Sequence, residues 1–251
     1  MLDSIDMEEL KAIALQAGEA IMQIYAREFS VRYKNDASPL TEADLKANEI
    51  ICSQLQTLYP NIPIMSEENQ ETPYEIRKNW EYYWCVDPID GTKEFIKRNG
   101  DFTVNIALIH NQTPVAGVVY APVFDVLYWA KKGCGAYKNS QKLPLRSNTH
   151  NEDTLYVAVS RSHVTQETQK FIDTLHAKEV VQISKGSSLK LCMVAAGEAD
   201  IYPRFGETME WDTAAGDALV REAGKMSYQY ANGEPLLYNK ENLLNPWFVV
   251  R

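Results

Sequence analysis

CVDPIDGTKEFIKRNG, from Cys85 to Gly100, sets Asp87 and Asp90 three residues apart around a proline, follows them with Gly91-Thr92, and then resumes a helical pattern. Two carboxylates that close repel, so they are separated in space, share a proton or share cations. The run YYWCV before them reads as a strand that ends on Asp87. A strand-end acid, a second acid and a Gly-Thr helix opening would bring both carboxylates and free backbone N–H groups to one cleft, a place for a cation and an anion together. The plainer alternative is a turn, since Asp-Pro and Asp-Gly are ordinary turn dipeptides.

Outward from this stretch, YYWCV, FTVNIALIH, VAGVVYAP and VLYWAK are short β-rich runs parted by turn residues, as in an antiparallel meander. Ahead of them, Ile5, Leu10, Ile13, Ala17, Ile21 and Ile24 recur at helical spacing between Ser4 and about Arg27. FSVRYKNDASPL breaks that pattern, and a second helix begins at Thr41 in TEADLKANEIICSQLQTLYP. The N-terminal half therefore reads as α+β. Beyond SNTHNEDT, strand-like LYVAVS, VVQIS and ADIYP alternate with helix-like TQETQKFIDTLH and SSLKLCMVAAGE, which favours an α/β layer. The division falls near His150, giving halves 1–150 and 151–251.

With 251 residues and 45% hydrophobic content the chain can build a real core. Twenty-five basic against 34 acidic residues, a formal charge of −9, argue against a general footprint for nucleic acid or anionic membrane. The four cysteines, Cys52, Cys85, Cys134 and Cys192, lie far apart without a CxxC pair, in settings that suit buried thiols in a reducing compartment. No signal-like N-terminus or bilayer-length apolar run is present, so a cytoplasmic protein is expected; peripheral attachment through a partner leaves no mark in such a sequence.

Three further carboxylate sites lie at element boundaries, where segments can converge. Asp44 completes a T-x-x-D box with Thr41 and has a purely capping alternative. Glu67 and Glu68 follow NIPIM-Ser66, where an acidic pair is ordinarily just solvated. Asp212, in GETMEWDTAAGDALVREAG, stands where a helix begins and could be an N-cap. Together with the opening pair, these acids could hold two or more Mg²⁺, each taking one or two carboxylates and completing its shell with water and phosphate oxygens. Bound cations would also let a chain of charge −9 accept a phosphorylated substrate.

DPIDGT (Asp87 to Thr92), WDTAAG (Trp211 to Gly216), SEE ending at Glu68 and TEAD ending at Asp44 resemble, in order and spacing, the signatures of the lithium-sensitive, Mg²⁺-dependent phosphatase family that includes inositol monophosphatase and fructose-1,6-bisphosphatase. The resemblance implies a layered α/β/α/β/α fold with the site between the halves. It implies Glu67, Asp87, Asp90 and Asp212, with the carbonyl of Ile89, as ligands to two or three Mg²⁺. Asp44 and Thr92 would prepare the attacking water, and the backbone N–H groups of Gly91 and Thr92 would grip the phosphoryl group. With Glu67, Ile89, Asp90 and Asp212 they form the phosphate side of the substrate site, while Glu68 is a neighbour of the ligands.

SRSH (Ser160 to His163), GSSLKLCMVAAGEADIYPRFGETMEWDTAAG and LLNPWFVV resemble the bacterial 3'(2'),5'-bisphosphate nucleotidase branch. That implies a small-molecule substrate, adenosine 3',5'-bisphosphate and with it its sulfonated precursor, contacted by Ser160, His163 and Lys190, and a setting in sulfur assimilation. Without the resemblance, His163 is a polar residue at a helix start and Lys190 a solvated helix face. One departure is Gly224-Lys225 where the second signature often ends in Gly-Gly. The alternatives are an inositol or sugar-phosphate monophosphatase with the same metal core and, in another class, a non-catalytic sensor of a phosphorylated nucleotide.

Overall fold

The computed structural model of the chain describes all residues except 35–36, 146–152 and 162–163. Helix α1 (Met7–Tyr25) starts where the Asp6 side chain accepts from the Glu8 N–H. A short antiparallel ribbon, β1 (Val31–Tyr33) and β2 (Pro39–Thr41), leads into α2 (Glu42–Leu58). Next come β3 (Ile64–Ser66), the single turn α3 (Tyr74–Arg77), β4 (Tyr82–Asp90) and the single turn α4 (Thr92–Ile96). Strands β5 (Thr103–His110), β6 (Thr113–Ala121), β7 (Val126–Lys131), β8 (Gly135–Lys138) and β9 (Gln141–Lys142) complete a sheet in sequential order from β3 to β9. Every pair in it is antiparallel except β3–β4. The expected meander is therefore present.

Side chains on this sheet alternate between two cores. Trp84, Val86, Val104, Ile106, Leu108 and Val118 pack with the apolar stripes of α1 and α2. Their neighbours Tyr83, Cys85, Ala107, Ile109 and Val119 point the other way, the period of two that a strand imposes. That second face is covered by α6 (Leu189–Ala196) and α7 (Glu210–Glu222). Both faces are buried, so the strands read as near-continuous apolar runs although the sheet is largely antiparallel.

The chain reaches α6 and α7 through β10 (Thr154–Ser160), α5 (Gln166–Asp173) and the parallel partner β11 (Glu179–Lys185). Strand β12 (Tyr202–Arg204) then pairs with β14 (Phe248–Val250), which also takes β13 (Ser227–Gln229). A third apolar cluster joins Val157, Val159 and Ile201 to Ile172 on α5, completing the α/β/α/β/α stack. The expected boundary at His150 lies outside the described residues, and the core around α6 and α7 draws on both sides of it. Cys85 and Cys192 are buried as expected, but Cys52 is half-buried and Cys134 is exposed. Among the described residues no helix is long and apolar enough to cross a membrane.

The small residues of WDTAAG have a packing reason. Helix α7 lies so close to β6 that a Cβ on Gly117 would stand 2.6 Å from the Ala215 carbonyl oxygen. Bulkier residues on that face would lift α7, and Asp212 with it, off the sheet.

Candidate active site and metal centre

Strand β4 does not end on Asp87 as its apolar run suggested; it continues to Asp90 through a bulge. Asp87 pairs with Asn105 and Asp90 with Thr103, so three steps along β4 match two along β5. Residues three apart on a regular strand face opposite ways, but the extra residue turns Asp90 back to the face of Asp87. Pro88, which has no N–H to offer a ladder, sits inside this irregularity. The two acids are thus held together on one side of the sheet, under α6 and α7.

Two more acids reach the same place by different routes. The Glu67 N–H continues the β3–β4 pairing by donating to the Val86 carbonyl at 3.1 Å, which sets Glu67 beside Asp87. Asp212 is delivered by the first turn of α7. It occupies the third helical position rather than the N-cap, which is Met209, and its Oδ2 accepts from the Met209 N–H at 3.0 Å. Carboxylate oxygens of Glu67, Asp87 and Asp212 lie within 4.8 Å of one another. Asp90 is outside that trio: its Oδ2 accepts from the Ser188 N–H at 2.6 Å and from Asn105 Nδ2 at 3.3 Å. The Ile89 carbonyl, on the wall of the same cleft, accepts from Thr92 Oγ1 at 3.3 Å.

The electrostatics of this group ask for a cation. Burial, followed by the charges of Glu67, Asp90 and Asp212, pushes the Asp87 carboxyl well above the ordinary range. Burial and then the Asp90 charge do the same to Asp212, and burial raises Asp90 to about 6 against the pull of Lys190. Asp87 Oδ1 accepts from the Ile89 N–H, while Oδ2 is buried with no hydrogen-bond partner. A buried, unpartnered carboxylate oxygen among like charges is costly unless a cation takes it, and hard divalent ions take oxygen donors of this kind. The donor set therefore fits such a metal. One amine already approaches: Lys34 Nζ lies 2.8 Å from Glu67 and 2.6 Å from Glu68. Burial nonetheless pushes Glu68 up to about 7.

Asp44 both caps α2 and reaches Thr92. Its Oδ2 accepts from the Thr41 N–H at 2.8 Å and from Thr41 Oγ1 at 2.6 Å, closing a capping box, while Oδ1 accepts from Thr92 Oγ1 at 3.1 Å. Burial raises its pKa, opposed by these hydrogen bonds. Gly91 and Thr92 open α4, but this helix has only five residues.

On the other side of Asp90 and Asp212, Ser160, Lys190 and Arg204 line an adjoining pocket. Lys190 is not on a solvated face: it is 4% exposed, and its Nζ donates to the carbonyls of Ser187 at 2.6 Å and Lys185 at 3.3 Å. Burial lowers its pKa to about 8, against the attraction of Asp90. His163 lies outside the described residues. Lys34, Asn105, Ser188 and Arg204 are site neighbours that the sequence reading missed. Arg204 had one signal, a lone base in an otherwise apolar and acidic stretch; Lys34 had none, because it arrives from a ribbon distant in sequence.

The chain matches the inositol monophosphatase family over residues 2–246. It is 46% identical over 253 residues to the 3'(2'),5'-bisphosphate nucleotidase CysQ of Salmonella typhimurium, covering 97% of this chain and 98% of that one. The crystal structure of CysQ from Bacteroides thetaiotaomicron, described as a bacterial member of the inositol monophosphatase family, superposes with a TM-score of 0.86 at 48% identity, over 95% of this chain and 94% of that one. The Thermotoga maritima inositol monophosphatase TM1415 shares the fold, with a TM-score of 0.80 at 24% identity over 97% and 92% of the two chains. Sequence match and layered architecture agree, and the chain belongs to the inositol monophosphatase family.

Proposed function

We infer that this protein is a Mg²⁺-dependent 3'(2'),5'-bisphosphate nucleotidase that hydrolyses the 3'-phosphate of adenosine 3',5'-bisphosphate, consuming one water and yielding AMP and inorganic phosphate. The observation that carries the reading is the orphaned Asp87 Oδ2 between Glu67 and Asp212, beside the Asp44–Thr92 pair. The nucleotide is preferred because the similar proteins from Salmonella typhimurium and other bacteria bear that name.

Glu67, Asp87 and Asp212, with Asp90 and the Ile89 carbonyl, are the residues to hold two or three Mg²⁺. When bound there, Mg²⁺ supplies Lewis-acid charge to the phosphate and makes water a stronger nucleophile at neutral pH. Thr92 Oγ1 donates its proton to Asp44 or to Ile89, which leaves its lone pairs to receive a hydrogen bond from the attacking water. Asp44, whose basicity burial has raised, is the acceptor for that water's proton through Thr92. The backbone of Gly91 and Thr92 faces the phosphate from the cleft wall. Ser160, His163 and Lys190 are assigned to the nucleotide, and Arg204 joins them because it lines both the cleft and the adjoining pocket. Four free cysteines accord with a reducing, cytoplasmic setting for such an enzyme.

The test is phosphate release from adenosine 3',5'-bisphosphate and from inositol 1-phosphate, side by side, with Mg²⁺ and with chelator. A Mg²⁺-dependent preference for the nucleotide is expected. Preference for inositol phosphate would keep the metal centre and overturn the substrate, and activity that survives chelation would overturn the metal.

A further inference from the structure

We propose that Asp101 is a positioning residue that couples the substrate-side β11–α6 junction, the loop 186–188 with its flanking residues, to the metal-facing carboxylate Asp90. Asp101 is 1% exposed and is not on the wall of the cleft that holds the acidic trio. Its carboxylate nonetheless gathers the Gly186 N–H at 3.0 Å, Arg161 Nη2 at 2.8 Å and Lys185 Nζ at 3.3 Å. The approach is close: a Cβ on Gly186 would stand 2.6 Å from the Asp101 carbonyl oxygen and 2.7 Å from its Cβ.

Two and four residues further on, the same face of the chain grips the same loop. Ser188 Oγ stands 2.8 Å from Thr103 Oγ1 and 2.9 Å from Asn105 Oδ1. Thr103 and Asn105, on one face of β5, and Asp101, two residues before Thr103, are thus each bonded to the loop. The loop does not take this shape for its own sake, because Ser187 is held at φ 46°, a region unfavourable for a side chain with a Cβ. Anchored this way, it presents the Ser188 N–H to Asp90 Oδ2 at 2.6 Å, and Asn105 Nδ2 adds a second bond to that oxygen. Asp90 Oδ2 is thereby committed, which leaves Oδ1 to turn toward the cleft. Gly186, Ser187 and Ser188 of this loop and Lys190 in the first turn of α6 line the substrate-side pocket, so a shift of the loop would move substrate contacts and the aim of Asp90 together.

The proposal rests on the function above only for the role of Asp90 as a metal ligand. Its test uses the full chain and reads Mg²⁺ binding by calorimetry without substrate, then KM and kcat, with thermal melts as a control for folding. Asp101→Ala is expected to weaken Mg²⁺ binding by about 10- to 100-fold, the scale on which partners of ligating side chains act, and to raise KM at saturating Mg²⁺. Asp101→Asn, which keeps an acceptor for the Gly186 N–H, is expected to recover most of both. Ser188→Ala leaves the Asp101 ion pairs untouched and is expected to weaken Mg²⁺ binding in the same direction; if Asp101→Ala fails to fold, Ser188→Ala and Asp101→Asn decide. Wild-type Mg²⁺ affinity in Asp101→Ala or in Ser188→Ala, or an Asn variant no better than a folded Ala variant, would overturn the coupling. A wild-type protein that binds Mg²⁺ but leaves the bisphosphate intact would overturn the substrate reading and leave the coupling decided by calorimetry. A wild-type protein that binds no Mg²⁺ would overturn both.

Discussion

Asp44 and Asp212 hold the same local position in different helices. Each is the third residue of its helix, and each turns one oxygen back to the N–H three residues earlier, Thr41 in α2 and Met209 in α7. What else each carboxylate meets is different. Asp44 Oδ1 meets a hydroxyl, Thr92 Oγ1, whereas Asp212 meets the carboxylates of Glu67 and Asp87. The first arrangement satisfies a buried acid with hydrogen bonds; the second leaves like charges facing one another until a cation joins them. In the function proposed above, one capping device thus serves proton handling in one place and metal binding in the other, and the tertiary neighbour chooses.

The most severe break of this comparison is Asp212→Asn. It is expected to cost more activity than the ~100-fold that loss of a supporting partner costs, and to lack the rise in melting temperature expected of the wild type on adding Mg²⁺. Asp44→Asn should reduce kcat by about 10²- to 10⁴-fold, the range for lost proton transfer, yet keep the Mg²⁺-induced rise. If the two variants respond to Mg²⁺ alike in melts, the division of labour between the two first turns is wrong.

The side of Asp212 also carries a titratable cation, buried Lys190. Because its folded pKa is lowered to about 8, it has lost its proton in the folded protein over a range where the unfolded chain still binds one. This group's contribution to stability therefore rises with pH from about 8 to about 10.5, while its charge toward a phosphate falls over the same window. KM for the bisphosphate is expected to climb as pH passes about 8 with kcat little changed, and a flat pH profile of KM would remove Lys190 from substrate binding.

The smallest effect concerns the cap alone. Thr41→Ala deletes the hydroxyl that accepts from the Ala43 N–H and donates to Asp44. It should cost ~1 kcal/mol of stability, lowering Tm by a few degrees, with activity within about threefold of wild type because the Asp44–Thr92 bond remains. A tenfold loss of activity would mean that the cap and the catalytic pair are one unit.

Local pattern was enough for the longer helices, the meander and the Thr41 cap, because period, turn chemistry and capping residues act within a few residues of one another. It placed Thr41 and Asp44 in their box and Asp212 at the start of α7, though as an N-cap rather than the third helical residue it is, and family resemblance picked out Glu67, Asp87 and Asp212, which converge. It missed the bulge at Pro88 and Ile89, since a ladder's register depends on the partner strand, and so it ended β4 at Asp87 and could not say why two acids three apart share a face. It also left Lys190 on a solvated helix face, although α6 is buried on every side. Lys34 against Glu67, Arg204 at the cleft and Asp101 under the 186–188 loop are contacts between segments far apart in the chain. Such contacts have no local signal: charge and burial at these positions are set by which elements pack together, and only the folded sheet and its two helix layers bring them into reach.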